Sequence, residues 1–178
     1  MKVTSMRQLA TICAAALAIA SGTAQAAQPC LTPAEASSLV GYALPAAING
    51  TAKRCTPALG SNAFLRKGGT ELAQRYAARK AQNWPAAKAA FLKIGGKDDA
   101  SALLASLPDP SLQQMLDTII EGMVAQEIPT ERCSTIDRVI GLLAPLPAQN
   151  TAELIGVILG LSSKTGGAKA GSFSICKS

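Results

Sequence analysis

Residues 132–145 read RCSTIDRVIGLLAP and residues 150–161 read NTAELIGVILGL. In the first stretch Cys133, Ile136, Val139, Ile140 and Leu143 recur at i, i+3, i+4, i+7 spacing, so one helical face carries the cysteine together with the aliphatic side chains. In the second, Asn150 followed by Glu153 has the form of an N-cap with an acid reaching back, and the apolar run after it predicts another short helix. Pro145 and Pro147 lie between the two; each lacks a backbone donor, which predicts a stiff turn. Two helices folded back through prolines, followed by a tail that ends near Cys176, make 133–176 the expected organising unit of an all-α fold.

The rest of the chain agrees on the class. Beyond residue 26 there are four valines and few aromatics, while alanine and leucine abound, so helix formers far outweigh strand formers. Thr32-Pro33-Ala34-Glu35 is a capping box that predicts a helix from 33, with Ala36, Leu39, Val40, Ala43 and Ala47 on one face. Pro45 is expected to kink or end it, and Asn49-Gly50 to close it. Asn49-Gly50-Thr51 also spells a glycosylation sequon, read here only as a helix end.

From Cys55 to Gly69 a short helical segment anchored by Phe64 and Leu65 is expected between loops. TELAQRYAARKAQNW (70–84) then places Leu72, Ala73, Tyr76, Ala77 and Trp84 along one side. Pro85 should bend or restart that helix, with Trp84, Phe91 and Ile94 sharing a face up to Gly95-Gly96. Asp98 or Asp99 caps a short helix bearing Leu103, Leu104 and Leu107. Asp109-Pro110 opens the clearest helix, in which Leu112, Met115, Leu116, Ile119, Ile120, Met123 and Val124 form a stripe wide enough for the centre of a bundle. Pro129 stops it, and Thr130 can cap the helix that carries Cys133. The expectation is a single disulfide-stapled bundle of about six to eight short helices over 27–178, with 162–178 a mobile tail tied down near Cys176.

The N-terminus has the form of an export signal: Lys2 and Arg7, the apolar QLATICAAALAIA, then the small-residue site Ala24-Gln25-Ala26. Residues 1–26 are expected to be removed, because the apolar run is shorter than the ~20 residues a spanning helix needs. Neither Cys13 nor Cys30 follows a lipoprotein box, so a periplasmic or extracellular chain without a transmembrane segment is expected. Cys30, Cys55, Cys133 and Cys176 remain, an even number in an exported chain, which predicts a disulfide framework. The local pairing, Cys30 with Cys55 and Cys133 with Cys176, is preferred, and each bridge is expected to stabilise by roughly 3–4 kcal/mol.

The absence of histidine removes Ser-His and Cys-His nucleophiles and most transition-metal sites. Ser174 and Lys177 are too close to the end, and too short a pattern, to read as a catalytic pair. Asp117 and Glu121 lie at i, i+4 and read as a solvated helix face. Asp98-Asp99 lacks the spacing of a calcium loop, Gly156 and Gly160 suffice for close helix packing, and there is no CxxC. The expectation is a non-enzymatic protein without metal or cofactor. A histidine-free envelope hydrolase or lyase using carboxylates, and a carrier of a small apolar ligand, are the alternatives.

Charge is the feature that rises above this background. Residues 53–97 hold ten Lys or Arg against Glu71 alone, a charge of +9, whereas 98–161 hold nine acids against Arg132 and Arg138, a charge of −7. The plainer, preferred reading is that the two halves pair with each other. The sharper one is an anion-binding surface on Arg75, Arg79, Lys80 and Lys88 that would meet anionic lipid, a cell-wall polymer or an acidic protein. Nucleic acid is not expected, since no aromatic-basic module is present.

Overall fold

A computed structural model describes residues 30–96, 99–164 and 174–176. These form an all-α protein with one short strand pair. The elements are β1 (Cys30–Leu31), α1 (Pro33–Cys55), α2 (Phe64–Lys67), α3 (Gly69–Ala77), α4 (Lys80–Gly95), α5 (Asp99–Ser106), α6 (Asp109–Glu127), α7 (Cys133–Leu143), α8 (Ala148–Lys164) and β2 (Ser174–Ile175). Among the described residues, no helix is long and apolar enough to cross a membrane.

Helix α1 is the element around which the others are arranged, in place of the expected unit at 133–176. It packs against α3, α4, α6 and α8. Its start is the capping box: Thr32 Oγ1 accepts from the Glu35 N–H at 3.2 Å, and Glu35 Oε2 accepts from the Thr32 N–H at 2.7 Å. It stops neither at Pro45 nor at Asn49-Gly50, but continues for 23 residues to Cys55. Pro45 is buried and forfeits one ladder bond, a cost that burial against four helices outweighs. At Gly50 a Cβ would lie 2.4 Å from the Glu121 carbonyl oxygen, so this glycine serves the close approach of α6 to α1 rather than a helix end. Thr51 of the apparent sequon is buried, and its hydroxyl donates to the Ala47 carbonyl at 2.8 Å.

Two main clusters of side chains lie on either side of α1. Leu44 and Ile48 pack with Leu72, Tyr76, Ala144 and Ala152, and Tyr42 packs with Trp84, Ala87, Leu112 and Leu116. The stripe on α6 is only half used. Leu112 and Leu116 are buried, whereas Ile119 and Met123 are exposed, so α6 flanks the bundle rather than running through its centre. Trp84 and Phe91 share a cluster, but Ile94 belongs to another with Leu31, Ala36 and Ala90.

Local boundaries also move. The break in the 70–96 region falls at Ala78-Arg79, between α3 and α4, while Pro85 sits inside α4 near its start. Helix α8 begins at Ala148, so Asn150 lies within its first turn, and the Thr151 hydroxyl donates back to the Pro147 carbonyl at 3.3 Å. Asp99 opens α5, and the expectation for Asp98 lies outside the described residues. Of the tail expected to be mobile over 162–178, residues 162–164 instead continue α8 and 174–175 form β2, while 165–173 and 177–178 lie outside the described residues.

The disulfides join all four cysteines among the described residues, but not locally: Cys30 bonds Cys176, and Cys55 bonds Cys133. The unbroken α1 explains the correction. Its 23 residues span about 35 Å at 1.5 Å each, so cysteines at its two ends cannot reach the roughly 7 Å Cα separation that a bridge tolerates. One bridge instead sits at each end of α1. At one end β1 and β2 pair in parallel, Cys30 opposite Ser174 and Leu31 opposite Ile175, and the Cys176 N–H donates to the Leu31 carbonyl at 2.8 Å. At the other, Cys55 and Cys133 are buried with Leu65, whose N–H and that of Phe64 donate to Asp137 at 2.7 and 3.1 Å.

Candidate functional site

Three surfaces hold the residues with chemical potential. The first is the seam between the basic and acidic segments. Across it Lys80 Nζ pairs with Asp117, Lys88 with Asp109 at 2.6 Å and Lys53 with Glu121 at 3.6 Å, while Lys93 pairs at 2.8 Å with Glu35 of α1, outside the acidic segment. Lys80 also sits 4.5 Å above the centroid of the Tyr42 ring, which in turn lies 5.1 Å from that of Trp84. Among the described residues Arg75 and Arg79 bind no carboxylate: Arg75 Nη2 donates to the Ala144 carbonyl at 2.6 Å, and Arg79 Nη2 to Gln149 Oε1 at 3.4 Å. Of the four expected surface cations, Lys80 and Lys88 are therefore tied into ion pairs with α6, while Arg75 and Arg79 face the turn before α8 and its first turn.

The titration behaviour of this seam follows from its partners. Lys93 holds the Glu35 carboxyl below the usual range, helped by the Thr32 N–H. Lys88 lowers Asp109 in the same way, with a smaller contribution from the Trp84 indole N–H, which lies near but outside hydrogen-bonding geometry. Burial first, and then the Asp117 carboxylate, push the Tyr42 phenol upward, and its hydroxyl donates to the Gln113 carbonyl at 3.2 Å. Asp117 and Glu121 each face a lysine rather than each other. The described residues contain no cluster of three or more potential metal ligands.

The second surface is the outer side of α8. Ala152 and Gly156 face α1, where a Cβ on Gly156 would meet Ser37 at ordinary van der Waals distance, and the buried Thr151 hydroxyl lies 3.0 Å from that of Tyr76 on α3. Leu154, Val157, Ile158 and Leu161 face away and remain between 42% and 60% exposed. Their spacing of three, one and three places them on one stripe.

The third is a groove of about 510 Å³ bounded by the first turns of α1, the start of α4 and the first half of α8. Its walls carry Ser37, Ser38, Gln82, Asn83, Gln149 and Glu153, with Arg79 at the rim and Val157 shared with the outer stripe of α8. Sequence reasoning missed it, because its polar residues come from three segments far apart along the chain. The available signal was local: the pair Ser37-Ser38 and Asn83 are poor helix formers inside helices where nothing else required polarity. No protein-family model, curated protein or solved structure matches the chain.

Proposed function

We propose that this is an exported, non-catalytic protein that attaches reversibly to anionic membrane surfaces through the outer face of α8. The observation that carries the reading is the stripe Leu154, Val157, Ile158 and Leu161, which leaves an apolar helix face uncovered by the described residues of its own fold. Charge supports the choice of partner. After Glu153 the sequence contains Lys164, Lys169 and Lys177 and no acid, and Arg75 and Arg79 flank the start of α8 without carboxylate partners among the described residues. Completing the burial of four half-exposed aliphatic side chains would contribute about 1 kcal/mol each, and each lysine near an anionic surface about 1 kcal/mol more. That suits reversible attachment and falls far short of irreversible insertion.

Export rests on the leader-like residues 1–26 and agrees with a fold in which all four remaining cysteines are paired. A non-catalytic role accords with the lack of histidine and with carboxylates at 117 and 121 committed to lysines. The test is cosedimentation of the 27–178 protein with phosphatidylglycerol vesicles against phosphatidylcholine vesicles, at low and high salt. Binding should favour the anionic vesicles, weaken with salt, and disappear in a Leu154→Gln, Leu161→Gln variant that keeps its helical content. A folded wild type that ignores vesicles, or that covers this face by forming a dimer, would overturn the reading.

A further inference from the structure

We infer that the groove between α1, α4 and α8 is a binding site for a neutral, polyhydroxylated ligand, a short segment of glycan. Ser37 and Ser38 on α1 and Gln82 and Asn83 on α4 line it, and their side chains make no hydrogen bond with other described residues, although both serines and Asn83 are half-buried. Each amide offers two donors and an acceptor, and each hydroxyl offers both. Such groups, left unused in a recess of about 510 Å³, form an array suited to a ligand whose own surface alternates donors and acceptors. Asn83 is fitted into place by Gly41, where a Cβ would stand 2.7 Å from its Nδ2.

The opposite wall decides the ligand's charge. Gln149 Oε1 accepts from Arg79 at 3.4 Å, and Gln149 Nε2 donates to Glu153 Oε1 at 3.1 Å, so one cation and one carboxylate are linked through an amide. Their charges offset, which favours neither phosphate nor ammonium. Ala34, Ala152 and Gly156 make a shallow apolar floor on which the C–H face of a sugar ring can rest. A peptide would need an open strand edge or a deep apolar pocket for an anchoring side chain, and the groove lining supplies neither. The site borders the α8 stripe at Val157 but does not depend on lipid binding.

The experiment is an NMR titration of the 27–178 protein with N-acetylglucosamine trisaccharide and maltotriose, with inorganic phosphate and a neutral tripeptide alongside. Saturable shifts are expected in the side-chain NH₂ resonances of Gln82, Asn83 and Gln149 with at least one saccharide, at dissociation constants of about 1 mM or tighter. Asn83→Ala with Gln149→Ala should weaken that binding at least about tenfold, and Ser38→Ala with Gln82→Ala should do so independently, each with the remaining spectrum unchanged. Saccharide shifts that persist undiminished in both variants, shifts caused only by phosphate or by the peptide, or no saturable shift in the presence of an intact spectrum, would each overturn the inference. Vesicle binding by Leu154→Gln, Leu161→Gln separates the two proposals, since that variant should still bind saccharide.

Discussion

Gly50 shows how much one missing methyl can decide. With the Glu121 carbonyl 2.4 Å from the position of its absent Cβ, Gly50→Ala must push α6 away from α1, because the obstacle is backbone and not the end of a flexible side chain. A loss of about 1–3 kcal/mol is expected by thermal or urea denaturation, in spite of alanine's better helix propensity. The titrating residues give a second set of expectations. Glu35 and Asp109 have depressed pKa values, so their stabilisation is complete above the ordinary 4.5 and 3.8 and is lost as pH falls through the lower folded-state values. Stability should fall in that acid range, and Lys88→Gln with Lys93→Gln should flatten the fall. Tyr42 has a raised pKa, so its contribution is present below the ordinary 10.0 and is lost as pH rises beyond it. Tyr42→Phe should abolish that alkaline limb while costing about 1 kcal/mol at neutral pH for the bond to Gln113.

Between elements, the paired charges are where sequence and structure meet most directly. Lys80→Gln should destabilise by about 1–3 kcal/mol, since it leaves the partly buried Asp117 without its cation and removes the contact over Tyr42. Arg79→Gln, on an exposed side chain with no carboxylate partner among the described residues, should move stability by less than about 0.5 kcal/mol in the same denaturation assay. The helix class, the capping box at Thr32, the breaks near 96, 108 and 129, and the segregation of charge were legible because each rests on neighbours within a few residues. The extent of α1 was not. Pro45 and Gly50 are local stop signals, and only the helices packed around them, invisible to a local reading, override the signal. The disulfide error descends from that one, since a helix ending near 50 would have let Cys55 turn back toward Cys30. The groove escaped for a different reason: its walls are built by three helices, and polar residues on each look like ordinary surface until the helices are placed side by side.

At the scale of the whole molecule, the two bridges close segments separated by 146 and 78 positions, so each should contribute about 4–5 kcal/mol through restriction of the unfolded chain. Cys30→Ser with Cys176→Ser removes the outer constraint but leaves the α1 core clusters in place. It should lower the melting temperature markedly while retaining helical circular dichroism at 25 °C. Cys55→Ser with Cys133→Ser should cost at least as much, because it also disturbs the buried contact with Leu65. The outer bridge has a mechanical corollary. Tension applied to residues 27 and 178 passes through the sulfur–sulfur link between Cys30 and Cys176, bypassing the whole helical body, so the oxidised protein should behave on an optical trap as a short inextensible knot. Once both bridges are reduced, the same pull should reach the helices and release a chain on the order of 500 Å long from the 146-position span. A protein anchored at one end and tugged at the other would thus keep its groove and its α8 face intact under load, for as long as its surroundings remain oxidising.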